Sequence, residues 1–399
     1  MRKPLKSWMN RQLPLLLVWT NSYERLTWTP ILVLLANALE APEALAYAAS
    51  AYSAANLVGN ILLGAASDRL GPFRVAGASL LLLGATTLLH LEAWSALSLV
   101  LVRALHGFFA SAVTPTSLSA AVEGSEAGRR GRIMARLGMV IALASVVASP
   151  VAGRMVDALE VVATLRVQAL FLVGVGALGL WAGSASKPVL QAAGGELAAE
   201  DDEGRRTALD PRVTAFACAV GFAVMFGQNV LFYALPLKAT AAGFGPAAVG
   251  GLFGLFALGS VVAFSPPFSK FADRYGRLRP IAAGSLVSAA GMFLLGVGVQ
   301  RVWLPLMAAS LAVYGFGFGL VFPAVSAAAA DGSSAGRRGT AFGLLTAAFS
   351  VGAIVGPLLG QAFDPHVSPF TLAALVMLSS LPAARLARAA AAPVFSGRA

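Results

Sequence analysis

Apolar runs of about 20 residues, the length a helix needs to cross a bilayer, recur along the whole chain. They fall near residues 13–36, 44–66, 75–93, 96–121, 134–157, 166–186, 213–238, 247–268, 280–299, 302–327, 340–363 and 369–386. Inside lipid every backbone N–H and C=O must find a partner within its own segment, so such runs read as helices. Gly and Pro occur inside many of them, which membrane helices tolerate because neighbouring helices re-satisfy the freed backbone groups. Only 12% of the chain is charged and 58% is hydrophobic, whereas a soluble chain carries roughly 25% charge. The expected fold is an all-α membrane protein with twelve transmembrane helices, embedded in a lipid bilayer.

The start, M-R-K-P-L-K-S-W-M-N-R, has the basic character of a signal peptide. Its apolar stretch is interrupted by Asn21, Glu24 and Arg25, so the first helix is expected to be retained. Threading twelve helices from a cytoplasmic N-terminus puts 23 of the 29 Lys and Arg on the cytoplasmic side. Four lie opposite (Arg154, Arg166, Lys238, Arg301) and two within helices (Arg25, Arg103). This asymmetry is the positive-inside rule. The net charge of +11 is therefore a topology signal and not a nucleic-acid surface. Both termini are expected in the cytoplasm, with the chain multi-pass in the inner (plasma) membrane. The lone Cys218 excludes an intramolecular disulfide. His90, His106 and His366 look scattered, and no His/Cys cluster points to a metal. No nucleotide loop or Ser/His/Asp arrangement points to an enzyme.

Residues 187–211 break the apolar pattern with Gly194, Gly195, the acidic run Glu200–Glu203 and Arg205–Arg206. They read as a cytoplasmic linker between an N-terminal six-helix bundle (1–186) and a C-terminal one (212–399). The halves repeat each other at offsets of 205 to 208 residues. Gly64-A-A-S-Asp68-Arg69-L-Gly71 returns as Ser269-K-F-A-Asp273-Arg274-Y-Gly276-Arg277. Gly107 matches Gly315, Pro115 matches Pro323, and Glu123 matches Asp331. A-G-R-R-G recurs at 127–131 and 335–339, Ser149-Pro150-x-x-Gly153 matches Gly356-Pro357-x-x-Gly360, and Asp157 matches Asp364. Internal repeats of this kind mark transporter folds.

On these motifs the chain resembles the major facilitator superfamily over essentially its whole length. The loop signature G-x-x-x-D-R-x-G-R-[RK] is similar to both copies, although Pro72 stands for the usual Arg in the first, with Arg74 two places later, and Ser269 for the first Gly in the second. Arg103-Ala-Leu-His106-Gly107 fits the family's helix-4 Arg, and Ser149-Pro150-Val-Ala-Gly153 its helix-5 antiporter motif. The resemblance implies two pseudo-symmetric six-helix bundles, alternating access, a proton gradient as energy source without a cofactor, and a monomer.

The duplicated loops are expected to form a cytoplasmic gate. Gly71 and Gly276 permit tight turns, and Asp68 and Asp273 can face a helix N-terminus; the resemblance places Asp68 near Thr340. Arg277 is expected to pair with Asp331, and Arg69 or Arg74 with Glu123. As surface ion pairs these would be worth about 0–1 kcal/mol each; their duplicated positions favour gating. Pro150 and Pro357 can bend their helices, and the flanking Gly residues allow close packing.

Of the 18 acids, only Glu24 lies near mid-membrane. A carboxylate there marks an ion pathway or is paired, which makes Glu24 the proton-site candidate. Arg25 is about 100° around the helix from it, so Arg103 on helix 4 is its expected partner. The alternative is a static Glu24–Arg103 pair that only ties helices together. Asn21, Glu24 and Trp28 share one helical face, and with Arg25 and His106 they are candidate cavity residues. Asn21-x-x-Glu24-Arg25 is similar to the E-x-x-E-R of proton-coupled oligopeptide transporters and to motifs of organic-anion symporters and spinster-type lipid carriers. In the second half Phe226, Gln228, Asn229, Tyr233, Tyr314 and Phe318 supply amides and aromatics without charge, suited to a neutral or amphipathic substrate. The expected function is proton-coupled efflux of a small amphipathic or drug-like compound. The alternatives are uptake of an organic anion or peptide, lipid movement, and a non-transporting receptor on the same fold.

Overall fold

The computed structural model of the chain describes residues 3–122, 130–185, 209–265, 268, 276–333, 337–364 and 366–382. Among the described residues there is no strand, only one isolated bridge between Leu209 and Ser333. The helices are α1 (Lys3–Ala38), α2 (Ala44–Leu70), α3 (Pro72–Leu89) with a 3-10 turn after it (His90–Glu92), and α4 (Ala96–Val122). A single helical run, Arg130–Ala185, follows. Then come α7 (Pro211–Ala241), α8 (Pro246–Phe264), α9 (Leu278–Gln300), α10 (Leu304–Asp331), α11 (Arg338–Phe363) and α12 (Pro369–Ser379).

The 56-residue run would stretch about 84 Å if straight, far more than the roughly 30 Å hydrocarbon core. It breaks at Glu160, whose φ of 64° and ψ of 170° are not helical. The limbs before and after that residue, α5 (130–159) and α6 (161–185), both return to α1. Ser149 of α5 donates to the Leu26 carbonyl at 2.8 Å, and Gln168 of α6 donates to Thr27 at 2.7 Å. The two apolar runs expected here are present, but a one-residue break replaces the expected loop.

Eight helical stretches among the described residues are long and apolar enough to cross a membrane, with Arg136–Ser184 covering both α5 and α6. At 36 and 27 residues α1 and α2 are also long enough, but more polar. α12 is 11 residues and ends at Ser379, short of the expected end at 386; residues 380–382 form a turn, and 383–399 lie outside the described residues.

Internal contacts divide the chain into Met1–Ala193 with Gly243–Gly254, and Gly194–Ala242 with Leu255–Ala399. In the first unit α1 packs on α4 and the α5/α6 hairpin, α2 on α4, and α3 on α4 and the hairpin, around Leu13, Leu17, Phe73, Leu80, Leu83 and Leu172. In the second, α7 packs on α11 and α12, and α9 on α10, around Phe216, Val220, Ile281, Val321 and Val325. Lipid removes the hydrophobic drive between helices, so small residues at the contacts matter more. The repeated glycines show this twice. A Cβ on Gly107 would lie 2.9 Å from the Tyr52 carbonyl carbon, and one on Gly315 2.8 Å from that of Phe256. The same close crossing, α2 on α4 and α8 on α10, is thus built once in each unit.

Candidate functional site

The Glu24 side chain is 1% exposed, so its bonding atoms decide its chemistry. Its Oε1 lies 2.5 Å from His106 Nε2 of α4 and accepts from Trp28 Nε1 at 2.5 Å. Trp28 is one helical turn along α1, so the indole reaches back down its own helix. Neighbouring pairs follow the antiparallel run of α1 and α4: Asn21 Nδ2 donates to Thr114 at 2.8 Å, and Trp28 lies near Arg103. Around this core, Trp28 and His90 rings are 4.2 Å apart between centroids, His90 and His106 5.3 Å, and Tyr52 and His106 6.3 Å.

Arg103 is not bonded to Glu24, which corrects the expected ion pair. Its guanidinium sits 4.7 Å over the Trp28 ring and 4.5 Å over the Tyr52 ring. Stacking of a cation on two aromatic faces offsets part of its desolvation. Its Nε and Nη1 atoms, like Glu24 Oε2, are buried without a hydrogen-bond partner. The physical reason for the exchange of partners is helical phase. His106 follows Arg103 by three residues and so shares its face, and the shorter imidazole fills the gap to α1. Arg25 is exposed, in keeping with its offset of about 100° from Glu24.

The structure also corrects the reading of the histidines as scattered. His90 (1% exposed) and His106 (fully buried) belong to one cluster, with Trp28 against both rings. The sequence signal for this was the Arg103/His106 spacing on one α4 face, and the Thr86/His90 spacing of four at the end of α3.

The other named cavity residues divide by unit. Trp28 and His106 are enclosed, and Asn21 is half-buried. A cavity of about 230 Å³ lies in the first unit, on α1, α5 and α6, lined by Trp19, Tyr23, Thr27, Met155, Gln168 and Phe171 among others and by none of the expected residues. In the second unit Phe226, Asn229, Tyr233 and Tyr314 are buried, and Gln228 and Phe318 half-buried. Asn229 turns back to the Met225 carbonyl at 2.9 Å. Tyr233 and Tyr314 hydroxyls and Gln361 Oε1 are buried without partners. Phe256 stacks on Tyr314 at 5.3 Å and meets Phe318 at 5.6 Å, and Phe318 stacks on Phe322 at 5.6 Å. Phe256 and Tyr314 are the repeat counterparts of Tyr52 and His106, while Asn229 and Leu311 stand where Glu24 and Arg103 stand. The second unit thus keeps the ring-on-ring geometry and loses the charges.

The duplicated loop is a one-residue turn in its first copy. Gly71 (φ 92°) ends α2, with its N–H on the Ser67 carbonyl at 2.9 Å, and Pro72 starts α3. Gly276 has φ 75°, so both repeats place glycine in the left-handed region that side chains disfavour. Arg277 Nε donates to Asp331 Oδ2 at 3.0 Å, with both side chains partly exposed. Asp68 and Arg69 are exposed and Gly64 is half-buried. Arg74 donates to the Gly183 carbonyl at 3.1 Å. Glu123, the acid expected for Arg69 or Arg74, lies outside the described residues, as do Asp273 and Arg274.

On α5, Ser149 also meets the Thr29 hydroxyl of α1; Pro150 lies within that limb, with Gly153 one turn beyond Ser149. On α11, Pro357 lies within the helix. There, a Cβ on Gly356 would touch the Phe226 backbone, and one on Gly360 the Tyr233 ring.

The profile of the Major Facilitator Superfamily matches residues 15–215 and 217–396. The chain belongs to the major facilitator superfamily. It is a multi-pass membrane transporter and not an enzyme. Among relatives of this superfamily, the class B tetracycline resistance protein of Escherichia coli is 37% identical over 130 residues, 32% of this chain and 31% of that protein. The quinolone resistance protein NorA of Staphylococcus aureus is 29% identical over 154 residues, 38% of this chain and 39% of that protein. These matches span only about a third of each relative. The crystal structure of the human organic anion transporter MFSD10 (TETRAN) superposes with a TM-score of 0.63 at 18% identity, covering 96% of this chain and all of that one.

Proposed function

We propose that this transporter couples export of a small amphipathic or drug-like compound to proton entry by alternating access. The carrying observation is the Glu24–His106 pair, fully buried and 2.5 Å apart, in a family of secondary transporters. A membrane-buried carboxylate next to an imidazole is built to hold or release one proton. Two partial matches to drug-resistance proteins support the substrate class. The uncharged counterpart in the second unit supports proton handling by the first. Proton and substrate exchange at the inner membrane, without a cofactor, by a monomer with both termini in the cytoplasm, complete the reading. The repeated loops then act as the gate, with Asp68 at its interface and Arg277–Asp331 as its ion pair.

Reconstituted protein under an acidic-inside gradient should move an amphipathic dye, and Glu24→Gln should abolish gradient-driven movement while leaving dye binding. Unchanged gradient-driven transport by Glu24→Gln would sink this reading. Arg103 supports a second one. Its buried donors lack an acceptor and suit the carboxylate of an organic anion. Loss of carboxylate binding but not of dye binding in Arg103→Ala would favour that substrate class.

A further inference from the structure

A second cavity of the first unit, about 450 Å³, opens between α2 and α3. The one-residue turn at Gly71 joins these helices, yet both pack on α4 more than on each other. The groove left between them is lined by Leu63 and Leu70 of α2, Ala78 and Leu82 of α3, Phe109 of α4 and Leu180 of α6. Leu70 and Leu82 are 55% and 45% exposed. The exposed residues of α3 are Leu82, Ala85, Leu88 and Leu89. A face of a membrane-spanning helix that exposes only apolar side chains meets hydrocarbon and not a water-filled path. The groove therefore opens to the bilayer.

One guanidinium stands at the end of the groove nearest the α2–α3 turn. Arg74 is half-buried and lines the cavity, eight residues before Leu82, or about 12 Å along α3. It is held from the α6 side. A Cβ on Gly183 would lie 2.5 Å from Arg74 Cγ, and one on Gly77 2.9 Å from the Gly179 carbonyl carbon, so these glycines let α3 and α6 approach closely. The Gly183 carbonyl then accepts from Arg74 Nε at 3.1 Å. Among the described residues this is the one hydrogen bond of Arg74, and the donors on Nη1 and Nη2 stay available. The other described charges at the turn are Asp68 and Arg69, both exposed. Arg69 and Arg74 against Asp68 leave this end of the groove with a net charge of +1.

We infer that the groove is a binding site for an anionic phospholipid of the surrounding bilayer. An acyl chain lies between α2 and α3 against Leu63, Ala78 and Leu82, and the phosphate takes the Nη donors of Arg74. A guanidinium presents paired donors that match phosphate oxygens, and a basic position between helices at the membrane surface favours an anionic headgroup. A soluble anion would meet the guanidinium without filling the groove. A neutral apolar molecule would fill the groove and leave the donors unused. In the topology proposed above the lipid comes from the cytoplasmic leaflet. The site depends neither on the transported substrate nor on proton coupling.

The test titrates the delipidated full-length protein in detergent with phosphatidylglycerol, and separately with phosphatidylethanolamine of the same chains, and counts bound lipid by native mass spectrometry. Phosphatidylglycerol should bind about fivefold tighter, the weight of one cation near an anionic headgroup. Arg74→Gln should weaken phosphatidylglycerol about tenfold, the weight of a hydrogen bond to a charged group. It should also erase the preference, because Asp68 and Arg69 then cancel. Ala78→Phe narrows the groove with Arg74 in place and should weaken both lipids. Leu286→Phe, on an exposed position of α9, should change neither. Equal binding of the two lipids by the native protein, or native binding by Arg74→Gln, overturns the assignment. Lower stability of lipid-free Arg74→Gln with unchanged lipid binding would reduce Arg74 to a pin between α3 and α6. If neither groove variant folds, the preference of the native protein decides alone.

Discussion

A double-mutant cycle decides which cation partners Glu24. Removing one member of a buried pair leaves the other without compensation, which costs about 3–5 kcal/mol. Glu24 and His106 are 1% and 0% exposed and 2.5 Å apart, so Glu24→Gln and His106→Gln should each approach the lower end of that range. Their common bond is lost once and not twice in the double variant. Because a hydrogen bond to a charged group contributes about 1.5–3 kcal/mol, the double variant should be about 2 kcal/mol more stable than the sum of the singles predicts. The parallel cycle with Arg103→Gln should give a smaller coupling than the His106 cycle, since no bond joins Arg103 to Glu24 and only through-space attraction remains. Unfolding can be followed by SDS titration in micelles, reading the reaction of the lone, half-buried Cys218 with a thiol-specific dye. Coupling to His106 below about 0.5 kcal/mol, the noise of additive sites, or a larger coupling to Arg103 would refute the pairing.

The Arg277–Asp331 bond is partly exposed, so Arg277→Ala should cost less than about 1 kcal/mol in the same SDS titration; a larger loss would make the pair a structural tie. If the pair serves the gate, Arg277→Ala should still slow dye transport in liposomes, and native turnover would remove it from that role. Gly107→Val and Gly315→Val each push a side chain into a facing backbone and should destabilise by about 1–3 kcal/mol or more. Native stability in either variant would show that the helix crossing is looser than described.

Much of the frame was legible because it is written in local pattern. Apolar runs gave ten of the twelve helices within about five residues of the observed ones, α1 starting ten residues earlier and α12 ending seven earlier than expected, and the repeat offset singled out Gly71, Gly276, Gly107 and Gly315. Arg277 and Asp331, at the matching ends of α9 and α10, meet as the repeat predicts. The turn between α5 and α6 was legible as a gap between residues 157 and 166; that one residue, Glu160, makes it was not, because the apolar pattern runs on through the residues that follow it. Glu24 was found by its isolation in an apolar run, whereas its partner was misassigned. Charge alone pointed to Arg103, but two aromatic rings hold that guanidinium while a histidine reaches the carboxylate.

Hydropathy, charge asymmetry and internal repetition by themselves determined that this chain crosses a membrane many times, that it is built from two related halves, and that one acid is buried in the first. Each of these depends on residues adjacent in sequence or on a fixed offset. Tertiary structure alone decided that Glu24 and His106, 82 positions apart, share a bond, and that His90 joins them. Such contacts depend on the rotation of each helix about its axis. Packing against neighbouring helices sets that rotation, and a change of one residue in phase, about 100°, would dissolve the cluster without altering the hydropathy pattern.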